Sequence, residues 1–433
     1  MRDLFHCSPA SSSPLRDAAL PLGMASPPFV GRERAGVRYE GAEWSPEALR
    51  DLVAKLAAGG PALGALSDAR LLAAWSAAVG DVGPAVEAVL PALCRLSPAG
   101  TSAGLERVLG GVSGEPARRL FAEAARRGVA TRGGGPVLVV LASNLPGLAV
   151  QPLLALLALR RPVLLKSPSA GPLFAPAFVA ALAAREPALA GALAAVTWPG
   201  GDRALEAPVL AGVDRVIAYG ERESLEDLER RAPGKLVAYG PKTSLAVVAA
   251  EAVSGETAAR LAADIALFDQ RGCLSVAAVY TDGDAAALAR HLAVALAELA
   301  ERWPPGPAAA AELAAVQQTR LEAELRGSDV VRVGAALAAG SVIVEEDPAF
   351  RPSPGLRTLR VHALADLAVL PALLAPWRGR LQGAALAGDA ARALAAALAE
   401  LGVSRCAAPG ELQSPDALWH NGGVHPLEIL APR

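Results

Sequence analysis

The sequence predicts an α/β fold with two parallel sheets behind a helical N-terminal layer, and three observations carry that reading. Short apolar runs alternate with Ala/Leu-rich segments after Gly133-Gly134-Gly135, the texture of βαβ units whose strands are covered on both faces. The same alternation starts again after Thr243, which predicts a second α/β unit. With 433 residues and 53% hydrophobic content, the chain can bury more than one core.

The elements follow in order. Residues 1–28 are rich in Ser and Pro and lack the basic and apolar regions of a signal peptide, so residues 1–35 are expected to form a loose tail. Residues 45–128 read as helices, with starts at Ser45-Pro46-Glu47 and Ser67-Asp68 and stops at Gly59-Gly60 and Gly80. Strands are predicted at 137–142, 163–165, 193–197, 215–219 and 236–239. The second series has helices at 256–268, 285–302 and 308–325, and strands at 275–280, 330–333, 341–344 and 358–361. The junction is placed near Gly240-Pro241-Lys242. The expected division is therefore a tail (1–35), a helical layer with a cofactor-binding domain (36–242), a catalytic domain (243–405) and a C-terminal segment (406–433). No charge occurs from 133 to 159, a length that could cross a bilayer. Asn144, Pro146, Gly147, Gln151 and Pro152 break that run into a strand, a turn and a helix start, so no membrane span is expected.

A formal charge of -2, from 41 basic and 43 acidic side chains without blocks of one sign, argues against a nucleic-acid binder. Cys7, Cys94, Cys273 and Cys406 are far apart and form no CxxC pair, so neither a disulfide framework nor a metal site is expected and the compartment reads as reducing cytoplasm. Only four of the 41 basic residues are lysines, Lys55, Lys166, Lys235 and Lys242, and the only asparagines are Asn144 and Asn421. In a chain that defaults to Arg and Ala, a retained Lys or Asn points to a geometric need for a compact ammonium or a short amide. Asn144, Lys166, Lys242 and Asn421 stand out on that ground.

The GxGxxG dinucleotide fingerprint is missing after any predicted strand. Four other segments occur in order: Ala142-Ser143-Asn144-Leu145-Pro146-Gly147, Leu164-Leu165-Lys166-Ser167-Pro168-Ser169, Tyr239-Gly240-Pro241-Lys242-Thr243-Ser244, and Phe268-Asp269-Gln270-Arg271-Gly272-Cys273-Leu274-Ser275. Their order and spacing resemble the aldehyde dehydrogenase superfamily over residues 133–361. Asp269-Gln270 before Cys-x-Ser, with the ending Leu412-Gln413-Ser414-Pro415 through Trp419-His420-Asn421-Gly422-Gly423 to His425-Pro426-Leu427, resembles the acyl-CoA reductases of bacterial luminescence, which reduce fatty acyl thioesters to aldehydes. The resemblance implies an aldehyde-dehydrogenase-like fold with two Rossmann-like domains.

Cys273 lies between a predicted helix and strand, where a thiolate can accept an acyl group beside a cofactor. Cys94 reads as a buried hydrophobe, and Cys406 remains a second candidate nucleophile. Asn144, at a strand-to-helix turn, matches the superfamily's oxyanion-binding Asn, with the Cys273 N–H as second donor. The resemblance places Lys166 at the adenosine ribose or a 2'-phosphate. Ser169 stands where NAD-preferring relatives often carry Glu, which favours NADPH over NADH. Tyr219-Gly220 and the helix start after them are pyrophosphate candidates. Glu345, Glu346 and Asp347 precede Phe350 and correspond to a Glu-x-Phe that positions the nicotinamide ribose; Glu346 stands for the three, and the choice among them stays open. His420 and His425 line the thioester entry, donate protons or brace the Gly422-Gly423 turn. Counting back four from Lys242 reaches Ala238, where the superfamily's general-base Glu is absent, which favours thioester reduction over hydrolysis. The expected activity is NADPH-dependent reduction of an acyl-CoA or acyl carrier protein thioester to an aldehyde through Cys273, in a cytoplasmic homo-oligomer. Aldehyde dehydrogenase, acyl-phosphate reductase, and a non-catalytic subunit of an acyl-transfer assembly are the alternatives.

Overall fold

The computed structural model describes residues 14–129, 134–142 and 145–431. Two strands open the chain, β1 (Phe29–Arg34) and β2 (Val37–Ala42), paired as an antiparallel hairpin. Residues 14–35 are not a loose tail. Ala19 exchanges backbone hydrogen bonds with Ala195 at 2.7 and 3.0 Å, and the buried Asp17 carboxylate accepts from the Ala42 N–H at 2.8 Å. Pairing here covers an open strand edge that would otherwise leave backbone groups unsatisfied, and an apolar-periodicity reading cannot see it.

The helical layer runs through Pro46–Gly64, Asp68–Val86, Pro98–Gly110 and Gly114–Arg126. Ser45, Ser67 and Ser97 cap the first three by accepting from backbone N–H groups of the first turn. The first sheet follows with β3 (Val137–Val140), β4 (Val163–Lys166), β5 (Leu193–Val196), β6 (Arg215–Tyr219) and β7 (Leu236–Tyr239), all parallel, in the order β5-β4-β3-β6-β7. The second sheet contains β8 (Thr243–Val248), β9 (Val276–Thr281), β10 (Asp329–Arg332), β11 (Ser341–Glu345), β12 (Thr358–Ala363), β13 (Leu381–Ala387) and β14 (Arg405–Ala407), in the order β10-β11-β12-β9-β8-β13-β14. Only the edge strand β10 is antiparallel to its neighbour.

The predicted strands all form, with ends moved by a residue or two. Five strands were not predicted: β1, β2, β8, β13 and β14. For β13 the reason is burial: it is Leu-Gln-Gly-Ala-Ala-Leu-Ala and lies wholly inside, so it shows no polar alternation and its small residues read as helix. The chain passes from the first sheet to the second in the three residues between Tyr239 and Thr243. This short crossing brings the carboxyl ends of β6 and β7 against the loop that enters β9. Among the described residues, no helix is long and apolar enough to cross a membrane.

Candidate active site

The loop that presents Cys273 is bent by three successive residues in the left-handed region, Phe268, Asp269 and Gln270, with φ of 55, 50 and 62°. For residues with a Cβ this conformation costs roughly 1–2 kcal/mol each, so it survives only where the surroundings hold it. They do. The buried Asp269 carboxylate pairs with Arg357 at 2.7 Å and accepts from the Gly306 N–H at 2.9 Å. Gln270 donates to the Val276 carbonyl at 2.7 Å, and Ser244 Oγ donates to the Cys273 carbonyl at 2.7 Å. Helix Pro98–Gly110 closes over the bend at Gly104, where a Cβ would lie 2.3 Å from the Phe268 ring. The Asp269-Gln270 pair of the sequence motif is thus the brace of the Cys273 loop.

Cys273 opens into a cavity of about 880 Å³. Burial pushes its thiol up to about 11, against the pull of its own N–H, the Lys242 charge and the Leu274 N–H. The walls come from both sheets: Ala142 and Tyr219 from the first, Ser275 and Gln382 from the second, and Trp419 and Asn421 from the C-terminal segment. Ala238 also stands in the wall. Among the described lining residues there is no histidine, and Glu221 is the only carboxylate. The other described cysteines lie elsewhere: Cys94 is buried and Cys406 exposed, and neither lines this cavity.

A second cavity, of about 570 Å³, lies behind the carboxyl ends of β4 and β6 and shares Tyr219 and Gly220 with the first. Lys166 is buried in its wall, with Nζ 5.3 Å from the centre of the Trp198 ring. Burial lowers the Lys166 ammonium from its ordinary value, and Glu206 opposes the shift. Glu206 in turn accepts from Trp198 Nε1 at 3.3 Å and pairs with Arg231 at 2.5 Å. Gly220 leads directly into helix Arg222–Arg231, whose first turn offers backbone N–H groups to an anion. Ser169 is exposed and lines neither cavity. Asn144 lies outside the described residues.

The arrangement can be set beside known proteins. Residues 117–433, well over half of the chain, match the model of the acyl-CoA reductase (LuxC) family. The chain belongs to that family. Similar curated members are the long-chain acyl-protein thioester reductases of Aliivibrio fischeri (28% identical over 235 residues, 53% of this chain and 48% of that protein) and Vibrio harveyi (26% over 155 residues, 35% and 32%). The chain therefore spans about half the length, or less, of the curated relatives it matches. Among solved structures it is similar to aldehyde dehydrogenase 21 of Physcomitrella patens, with a TM-score of 0.71 at 14% identity, covering 94% of this chain and 91% of that one. It is also similar to the NADP-dependent glyceraldehyde-3-phosphate dehydrogenase of Bacillus halodurans C-125 complexed with NADP, with a TM-score of 0.68 at 16% identity, covering 88% and 87%. These likenesses show that this acyl-CoA reductase family member has the aldehyde dehydrogenase fold.

Other expected site residues of this LuxC-family chain stand apart from the cavities. Glu346 is exposed, and none of Glu345, Glu346 and Asp347 lines either cavity. Glu345 is buried with Arg360 and Arg326 around it; burial works against its ionisation, but Arg360 and Ser328 outweigh it and hold the carboxyl low. Asp347 is held down to about 2 by Arg351. Phe350 packs on Trp377 at 4.6 Å in the core, so the Glu-x-Phe correspondence fails, and Pro352, Ser353 and Gly355 reach the cavity instead. The acids brace the end of the second sheet. His420 and His425 touch each other at 5.0 Å outside the cavity lining, and His425 Nδ1 accepts from the Leu427 N–H at 3.1 Å, bracing a turn and not a substrate. Tyr239 and Gln382 line the cavity and were not singled out from the sequence, whereas Tyr219 was read there, with Gly220, as a pyrophosphate candidate. The tyrosines carried a signal, since only four occur in the chain and these two end adjacent parallel strands.

Proposed function

We propose that this protein reduces acyl thioesters to aldehydes with NADPH, through an acyl group held on Cys273. The observation that carries the reading is the environment of Cys273. The thiol stands on a braced, strained loop in a large cavity, and Ala238 stands where the superfamily has a water-activating Glu. An acyl-enzyme with no base aimed at water persists long enough to be reduced.

In the acyl transfer, the Cys273 sulfur bonds to the thioester carbon, the bond from that carbon to the donor sulfur breaks, and the thiol proton ends on the departing sulfur. Asn144 and the Cys273 N–H take the role of oxyanion donors. The dinucleotide, when bound, supplies the hydride. Lys166, Trp198 and the helix start after Gly220 fit its adenosine and phosphate half, because a buried cation beside a cavity needs an anionic or polar ligand. Preference for NADPH rests on Lys166 and on the absence of a carboxylate at Ser169. The names of the curated relatives support a protein-borne thioester as donor beside acyl-CoA. Cytoplasmic location and self-association belong to the same reading and rest on sequence alone.

Intact-protein mass spectrometry after incubation with acyl-CoAs, without cofactor, tests the proposal. The expected result is one acyl adduct on Cys273 that is missing in Cys273→Ala. Labelling that persists in Cys273→Ala and vanishes in Cys406→Ala overturns it.

A further inference from the structure

We propose that Tyr219 is a catalytic residue of the acyl transfer: its hydroxyl is the proton carrier between Cys273 and the departing thiol, and Asn421 and Gln382 position it. The inference rests on the acyl-thioester reading above and extends it to the proton.

The need for a carrier comes from the cavity itself. With its thiol near 11, Cys273 carries only about one thiolate in 10⁴ at pH 7, so attack from a preformed thiolate is scarce. No histidine lines the described walls, and Glu221 sits at the start of helix Arg222–Arg231. Lys242 acts on the thiol as a positive charge, and an ammonium has no lone pair to accept a proton.

Tyr219 is placed to do the work. It ends β6 in the wall that Cys273 shares, and its ring is stacked on Tyr239 at 4.8 Å and 13°, which leaves the hydroxyl rotation about the C–O bond as its main freedom. Gln382 donates from Nε2 to Asn421 Oδ1 at 2.9 Å, which fixes the orientation of the Asn421 amide. The Asn421 NH₂ group is then the part that makes the side-chain hydrogen bond to Tyr219, and the phenol oxygen accepts it. Tyr219 and Cys273 line the same cavity, and the hydroxyl proton is left to donate into it. Burial, Tyr239 and Cys273 together hold the phenol well above its usual value, so it works as a neutral donor that can take one proton while giving another. Gly422 makes the placement possible: its φ of 61° turns the chain after Asn421, and a Cβ there would press on the Tyr239 ring at 3.3 Å.

The step balances. As Cys273 Sγ bonds to the acyl carbon and the donor C–S bond breaks, the thiol proton moves to the Tyr219 oxygen and the hydroxyl proton moves to the departing sulfur. The donor leaves as a neutral thiol, Tyr219 is unchanged, and no electron is transferred. This also gives the scarce Asn421 a task.

The test is the rate of acyl-adduct formation on the whole protein without cofactor, followed by quenched mass spectrometry with octanoyl-, dodecanoyl- and hexadecanoyl-CoA from pH 6 to 10. Tyr219→Phe keeps the stack and should react about 10²-fold more slowly at pH 7. The gap should narrow as pH rises, because a preformed thiolate needs no carrier. Asn421→Ala should show a smaller loss that narrows the same way, and adding it to Tyr219→Phe should cost nothing more. Tyr239, Cys273, Lys242, Arg271 and Glu221 share the Tyr219 walls on one side, and Lys166, Glu206, Glu223, Asp227 and Arg231 on the other. Apart from the substituted hydroxyl, all are common to both proteins, so a difference between their pH profiles belongs to Tyr219. A Tyr219→Phe rate within threefold of wild type, or an equal loss at every pH, overturns this inference alone. Failure of the wild type to be labelled by any of the three overturns the acyl-thioester reading with it.

Discussion

The two cavities that meet at Tyr219 and Gly220 are built on opposite electrostatic plans. Around Cys273 the polar groups are mostly amides and hydroxyls, with Lys242, Arg271 and Glu221 the charged groups among the described lining. Around Lys166 the wall carries Glu206, Glu223, Asp227 and Arg231 besides the lysine. The comparison shows how one fold separates two demands. On the proposed reading, a thiol that waits as a neutral group suits the first cavity, whereas a charged dinucleotide in the second would need fixed charges to replace its hydration.

The difference can be broken or sharpened by experiment, and the largest effect concerns the thiol. A folded-state value near 11 means that the reactive form is lost as pH falls below it, so alkylation of Cys273 by iodoacetamide should rise about tenfold per pH unit from 7 to 10, about 10³-fold in all. Peptide mapping of the labelled protein measures this site by site. A plateau near pH 8.5, where an unperturbed thiol ionises, would contradict the apolar plan of the first cavity.

A middle-sized effect belongs to the second cavity. Lys166→Ala removes a charged donor that is worth about 1.5–3 kcal/mol to a bound anion, so cofactor affinity should fall about 10- to 100-fold. The acyl adduct on Cys273 should still form at a rate near wild type, since Lys166 lines only the other cavity. Equilibrium titration of cofactor fluorescence reads the first expectation, and mass spectrometry the second. Equal cofactor affinity in the two proteins would remove Lys166 from the dinucleotide site.

The smallest effect is expected at Ser169. The exposed side chain lies outside both linings, and a solvated charge there acts with about 1 kcal/mol or less. Ser169→Glu should therefore shift the ratio of kcat/KM for NADPH over NADH toward NADH by no more than about fivefold. A larger shift would show that the loop after β4 folds onto the cofactor when it binds.

Much of this was legible before any fold was known. The alternation of apolar strands and Ala-rich helices reflects burial on both faces of a parallel sheet, which is a local property of composition. Cys273 and Lys166 could be picked out because their residue types are scarce and their flanks distinctive, and chemistry at a site is tied to residue type. At the acids the failure comes from charge pairing. Glu345 looks like a ligand in a linear reading, yet Arg360 and Arg326 claim it from other elements, whereas Asp347 is claimed by Arg351 only four residues along the same loop. His425 was equally open until its ring nitrogen was found accepting from Leu427.

By itself the sequence determined the fold class, the family and the identity of the candidate nucleophile, because hydrophobic period and motif spacing are properties of neighbours along the chain. Tertiary structure alone decided which groups stand around that nucleophile. Tyr219 from the first sheet, Gln382 from the second and Asn421 from the C-terminal segment meet only after both sheets have closed. The hydrogen bonds among them act over about 3 Å in space, a distance that separation along the chain does not encode.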